Sequence, residues 1–243
     1  MANVQDVHHE AAATRVDAVL DAVFTGVDVL RQRVATLQEF AAAEQRKLTT
    51  TDLASLRPTI FDHLARTSPA LAGTGVIAAP GALADRRRWL EWWRRPRGSA
   101  EPFPLTVDLD PRNIGSYEYT STPWFETPRR TGRRIVVGPY VDYAGTDEYI
   151  LTFASPIRSA CGFFGVAAAD IRASDFERAM LPLLDAAGPG ALLVNTSGRV
   201  IASNTPESIV GSLMPAEQQG GSYVPQELDW TRCEGLPWSL VVV

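Results

Sequence analysis

From Ala11 to about Lys47 the chain has no proline and a single glycine, Gly26. Within that run Val16, Leu20, Val23, Val27, Leu30, Val34 and Leu37 recur at alternating steps of four and three. This is the a/d seam of a coiled-coil-like helix, sustained for about three heptads. Asp17, Asp21, Asp28, Arg31, Arg33 and Gln38 fall off the seam, as a solvated face requires. So regular an apolar stripe needs a partner, either a second copy of the chain or another segment of the same chain. The sequence leaves both open, so a homodimer through those seven residues is one expectation.

After this helix the periodicity changes. Thr49 to Ser68 predicts a second helix, capped by a Thr or Asp and kinked or restarted at Pro58. Gly73–Pro80 and Arg87–Arg95 have strand composition. A short helix is expected around Pro123–Arg130, with Pro123 in its first turn, where a missing N–H costs nothing. Three strands follow, Arg134–Asp142, Glu148–Ile157 and Gly162–Ile171, and the links between them are short enough for an antiparallel meander. Ser174–Ala187 reads as a helix opened by a Ser-x-x-Glu capping box. Ala191–Ser203 reads as a hairpin turning at Asn195–Gly198, and "ELDWTRC" and "PWSLVVV" as two further strands. The fold class is therefore α+β, with a long N-terminal helix, a larger antiparallel unit, a connecting helix and a smaller unit. The expected divisions are 1–68 for the helical spine, 69–172 for the larger module and 173–243 for the smaller one.

Composition narrows the function classes. A formal net charge of -5 disfavours broad nucleic-acid binding, and the basic run Asp85–Arg97 is local and interrupted by tryptophans and Glu91. Cys161 and Cys233 are too few for a disulfide scaffold, lack metal-ligand spacing, and read as small buried fillers. No apolar run is long enough to span a membrane and no signal-peptide pattern opens the chain, so a soluble, cytoplasmic protein is expected. A fragment of a receptor would instead be extracytoplasmic. No nucleophile elbow, phosphate loop, His-Glu-x-x-His or Cys-x-x-Cys is present, and the histidines at 8, 9 and 63 form no constellation. An enzyme is not expected, and neither a cofactor nor a metal is called for.

Two stretches stand apart: "YEYTSTPWFETPRRTG" from Tyr117, and "GPYVDYAGTDEYILTFASPI" from Gly138. Together with the long helix, "GFFGVAAADI" and "GALLVNTSGRVIAS", their order and spacing resemble the Cache/PDC sensor family, in its double-Cache arrangement of two PAS-like antiparallel modules. The resemblance covers most of the chain from about residue 12. In the amino-acid-sensing branch it implies a pocket of a Tyr, an Arg, a Trp-Tyr pair, a Tyr-x-Asp and a late Asp. On this sequence those positions are Tyr117, Thr122, Trp124, Phe125, Tyr140, Asp142 and Asp170. Trp93 joins them as a candidate wall, since Trp92 and Trp93 face opposite sides of a strand.

The departure at Thr122 matters. A guanidinium fork holds a carboxylate bidentately, whereas Thr122 offers one hydroxyl. The two aspartates that would hold an ammonium are retained, beside aromatic rings suited to a cation. The resemblance thus implies a non-catalytic sensor for a cationic amine, with an amino acid held by another donor as second choice and a small carboxylate as third. Its output would pass through the helix or a partner. Plainer readings stand beside it: Trp124 and Phe125 as core, Asp142 as the start of a turn, Asp170 as a helix cap. The rival functions are a helical interaction protein with a vestigial pocket and a soluble enzyme with an unrecognised site.

Overall fold

The computed structural model describes residues 4–66, 68–96, 98, 101–160, 162–214, 217–219, 222–224, 229–232 and 238–242. Cys161 and Cys233 lie outside them. The long helix α1 (Val4–Ala43) is unbroken over 40 residues. Its seam is enclosed within the single chain: Val16, Leu20, Val23, Val27, Leu30 and Val34 are each at most 1% exposed, and Leu37 is half-buried. This corrects the expectation that the seam is offered to a second copy. Side chains with no remaining surface have nothing further to bury on association.

The predicted second helix is two. A capping box of Thr49 and Asp52 starts α2 (Thr50–Ala54), and α3 (Arg57–Arg66) starts afresh after the two intervening residues Ser55 and Leu56. Pro58 therefore sits in a first turn, where no intrahelical partner for its missing N–H is required, and kinks nothing. Gly26 of α1 lies against α3: a Cβ there would sit 2.0 Å from His63 Nε2.

The larger sheet has the order β3-β2-β1-β6-β5-β4. Its strands are β1 (Leu71–Ala78), β2 (Trp89–Arg94), β3 (Phe103–Pro104), β4 (Ile135–Val141), β5 (Tyr149–Ser159) and β6 (Gly162–Arg172). Between β3 and β4 stands α4 (Pro123–Thr131), with Pro in its first turn and Gly132 closing it at φ 69°. All eight residues of β1 are buried, because both faces of the sheet are covered.

Antiparallel register assigns the faces. Thr74, Glu91, Trp93 and Phe153 share one. There His63 Nδ1 lies 3.2 Å from Thr74 Oγ1, Phe24 of α1 meets Phe153 edge-on at 5.4 Å, and Phe61 of α3 meets Trp93 at 4.8 Å. The opposite face carries Arg94, Gly73, Asp170 and Thr152 in one row, with Trp92, Gly75, Ala168 and Ala154 in the next.

The smaller sheet has the order β11-β12-β7-β8, from β7 (Ala191–Val194), β8 (Val200–Ser203), β11 (Asp229–Arg232) and β12 (Ser239–Val242). A separate hairpin pairs β9 (Glu217–Gln219) with β10 (Ser222–Val224). The turn between β7 and β8 is held by Asn195 Oδ1, which accepts from the N–H groups of Ser197 and Arg199, with Gly198 at φ 71°. Helix α5 (Ala173–Ala187) packs on β7 and β8. It begins directly after β6, so Ser174 is already inside the first turn and the expected Ser174–Glu177 capping box has no free N-cap to occupy.

The chain forms two compact units. One comprises Met1–Asp21, Gly138–Tyr140 and Ala173–Val243; the other, Ala22–Val137 and Val141–Arg172. Among the described residues no helix is long and apolar enough to cross a membrane.

Candidate functional site

The row of Arg94, Gly73, Asp170 and Thr152 lies within the larger-sheet unit. Asp170 is 6% exposed, and its Oδ1 accepts a 2.7 Å hydrogen bond from Thr152 Oγ1. Among the described residues it makes no ion pair. Burial pushes its carboxyl up to about 8, opposed by the Thr152 hydrogen bond and by Arg94, and reinforced by the negative charges of Asp142 and Glu148. Asp170 lies inside β6 and caps no helix.

Asp142 closes the end of β4 into a turn. Its carbonyl accepts from the N–H groups of Gly145, Thr146 and Asp147, and its Oδ2 from Thr146 N at 3.0 Å and Thr146 Oγ1 at 3.1 Å. A side chain on Gly145 would collide with that carboxylate, a Cβ lying 2.2 Å from Oδ2. Burial raises the Asp142 carboxyl as well, against the Thr146 hydrogen bonds. Asp142 therefore does start a turn, as the plainer reading had it, while its charge still acts on Asp170.

The same turn delivers Glu148, whose backbone carbonyl accepts from Asp142 N. Glu148 Oε1 accepts from Arg172 Nη2 at 2.9 Å and lies 3.7 Å from Arg94 Nη2. Its Oε2 is buried with no hydrogen-bond partner among the described residues. Arg94 is steadied by Thr146 O and by the Phe103 ring, 5.5 Å from its guanidinium carbon.

Trp92 stands in the adjacent row. It is 5% exposed, and its indole lies across Gly73, where a Cβ would be 2.7 Å from Nε1. Gly73 is Asp170's partner across the ladder, and its missing side chain makes room for the ring. Trp92 Nε1 is buried and donates to nothing among the described residues.

The other sequence candidates divide. Trp93 was expected as a wall, but it lies on the opposite face. It packs on Phe61, takes Arg57 over its ring at 5.3 Å and donates to Glu91 Oε1 at 2.9 Å, because strand alternation sends its neighbour Trp92 toward Asp170 instead. Tyr117, Trp124 and Phe125 are buried. Phe125 stacks edge-on with Tyr119 at 5.2 Å, Trp124 at 6.2 Å and Phe163 at 5.5 Å, so it is part of an aromatic core. Tyr119, absent from the sequence candidates, anchors that core by donating to Ala78 O at 2.7 Å. Thr122 precedes α4 and donates its hydroxyl to Tyr119 O at 2.7 Å, which ties it to the loop. Tyr140 is half-buried and belongs to the smaller-sheet unit.

Of Trp92, Arg94, Glu148 and Thr152, sequence reasoning left the first open against Trp93 and passed over the rest. The signal for the first two was the period-2 alternation of β2, which sets Trp92 and Arg94 on one face and Trp89, Glu91 and Trp93 on the other.

Two clefts lie elsewhere. One of about 310 Å³ is bordered by Arg46 and Lys47, whose polar groups are already engaged by Glu44, Asp52 and Gly81 O. The other, of about 390 Å³, lies along Gly26 and His63. Neither touches the Asp170 cluster, where buried, mutually perturbing charges meet unpartnered polar atoms, and that combination makes it the candidate site. Among the described residues, no group of three His, Cys, Asp or Glu side chains could hold a metal ion.

Comparison with known proteins meets this geometry. Residues 91–178, which hold every candidate above except Gly73, match the family model described as methyl-accepting chemotaxis protein-like, first PDC sensor domain. The fold is shared along the chain with the structure of methyl-accepting chemotaxis protein X, at a TM-score of 0.66 and 15% identity, covering 98% of this chain and 94% of that one. It is shared with the ligand-binding domain of the Pseudomonas aeruginosa PAO1 amino acid chemoreceptor PctC in complex with GABA, at a TM-score of 0.62, 20% identity and 98% of both chains. The corresponding domain of PctB from the same organism, in complex with L-Arg, matches at a TM-score of 0.60 and 20% identity, over 97% of this chain and 91% of that one. Residues 91–178 thus match a first PDC sensor domain, a non-enzymatic ligand-binding module, within a chain that has the fold of chemoreceptor ligand-binding domains.

Proposed function

We propose that this chain is a sensor module of double-Cache type, its larger module spanning 69–172 and its smaller one 173–243, that binds a small ammonium-bearing molecule over Asp170. The observation that carries the reading is Asp170 itself. It is a carboxyl group buried in a sheet face with no direct ion pair among the described residues, Arg94 of the same row being drawn to Glu148, and it is flanked by two further carboxylates. Isolated buried acids are costly unless neutralised by a proton or a cation. An entering ammonium would supply that cation through charge-assisted hydrogen bonds, beside the indole of Trp92. The loop from Tyr117 to Trp124 would cover the ligand, and Asp142 would contribute field more than direct contact. The bound amino acids of PctC and PctB support the ligand class, and the extracellular domain of the putative histidine kinase mmHK1S-Z3, which shares the fold, supports placement outside the cytoplasm rather than within it.

Thermal-shift and calorimetric titration of the intact chain against amines, amino acids and small carboxylates tests the reading. Ammonium-bearing compounds should raise Tm, return chemically unchanged, and lose affinity at least tenfold in Asp170→Asn. Binding confined to carboxylates that lack an amine would overturn it, as would conversion of the ligand to product.

A further inference from the structure

The strand β2 carries three tryptophans, and their indole N–H groups are treated unequally. Trp89 Nε1 and Trp93 Nε1, on the helix-covered face, both donate to Glu91, at 3.4 and 2.9 Å. Trp92 Nε1, on the Asp170 face, donates to nothing among the described residues although it is buried. Buried indole N–H groups ordinarily find an acceptor, and an unmade bond there costs the full desolvation of the group. The strand therefore satisfies two of its three indoles internally and leaves the third where Gly73 lets the ring reach across β1 toward Asp170.

From this we infer that Trp92 is a specificity-determining residue of the site. Its N–H receives a hydrogen-bond acceptor on the ligand, so the ligand is an amine that also carries an acceptor oxygen, as an amino acid or amino alcohol does, and not a plain alkylamine. The inference rests on the amine reading above and decides between the ligands that reading allows. It also answers the loss of arginine at position 122. Thr122 is committed to Tyr119 O, and Arg94 and Arg172 are engaged by Glu148, whereas the indole N–H is a fixed donor with no acceptor among the described residues. One N–H in place of a fork accepts a carboxylate, hydroxyl or carbonyl oxygen alike, so the site would tolerate variation in that group while still requiring it.

Calorimetric titration with matched probes tests this: 4-aminobutanoate against propylamine, L-alanine against ethylamine, and ethanolamine against ethylamine. In the intact chain at least one acceptor-bearing member should bind roughly tenfold tighter than its partner, the scale of a hydrogen bond to a buried donor. In Trp92→Phe that ratio should fall to within about twofold, with binding of the plain amine little changed. Because the variant could fold poorly, a second measurement uses the unaltered chain labelled with 15N-tryptophan. The indole resonance in Overhauser contact with the Gly73 Hα protons should shift on addition of the acceptor-bearing probe and stay in place with the plain amine. Equal binding within every pair, a ratio that persists in Trp92→Phe, or an unmoved Gly73-proximal indole would overturn the role of Trp92. If amines bind and depend on Asp170 without such discrimination, only this inference fails. If none of the probes binds, the amine reading fails and this inference with it.

Discussion

A carboxyl raised to about 8 and a histidine lowered to about 4 sit on opposite faces of the same sheet, and their titrations act on stability in opposite directions. Asp170 binds its proton more tightly folded than unfolded, so it stabilises the fold at low pH and that contribution drains away as pH rises toward 8. His63 is depressed by burial, so the unfolded chain takes up its proton first and stability falls as pH drops from about 6.5 to 4. Between pH 4 and 6.5 the two oppose each other; from about 6.5 to 8 Asp170 acts without that counterweight. Denaturant unfolding should therefore show stability declining from pH 6.5 to 8 without ligand, and Asp170→Asn should flatten that decline. A decline unchanged in the variant would remove Asp170 as its source. The choice of Asp142 and Asp170 as acidic candidates was legible in the residues because a family pattern placed them. The identity of the indole beside them was not, because Trp92 and Trp93 are adjacent and only pairing with Gly75 and Thr74 settles which one turns toward Asp170.

At the scale of elements, most features followed from local chemistry: α1 from its proline-free heptads, although it runs Val4–Ala43 rather than from Ala11 to about Lys47, α4 from Pro123, and the β7–β8 turn from Asn195 and Gly198. The failures came where a neighbouring element overrode a local signal. Ser174 and Glu177 spell a capping box, yet β6 runs straight into α5 and leaves it no place. Gly26 looks like a flaw in a long helix, but it marks the crossing with α3. Alanine in a helix interior ordinarily gains about 1 kcal/mol over glycine. Here its Cβ would meet the buried imidazole of His63, which lies 3.2 Å from Thr74 Oγ1 and cannot easily swing aside. Gly26→Ala should therefore destabilise the protein, reversing the usual sign, and the double variant Gly26→Ala with His63→Ala should recover part of the loss as a non-additive coupling. Equilibrium unfolding of the two single variants and the double variant measures it; a stabilising Gly26→Ala would show that α3 yields at the crossing.

For the whole molecule, the heptad seam teaches the largest lesson. Its spacing announces that α1 must bury one face, but spacing cannot say against what, since a second copy and the chain's own fold satisfy it equally. The structure covers the seam from within: Leu30 is fully enclosed, and Phe24, earlier on the same helix, reaches Phe153, the residue next to the Thr152 that holds Asp170. The helix is thus part of the core of the unit that carries the candidate site. Enclosure also fixes how a seam mutation must behave. Leu30→Ala should cost about 2–5 kcal/mol, the transfer and cavity terms of a buried leucine. That loss should be the same at every protein concentration, because no association equilibrium is being broken. A seam that joined two copies would instead make both the unfolding midpoint and the effect of Leu30→Ala depend on concentration. Unfolding curves for the intact chain and for Leu30→Ala, each taken at two concentrations tenfold or more apart, separate the cases. Coincident midpoints for each protein keep α1 as an internal spine; midpoints that climb with concentration, with a penalty for Leu30→Ala that shrinks as they climb, would return the seam to a partner.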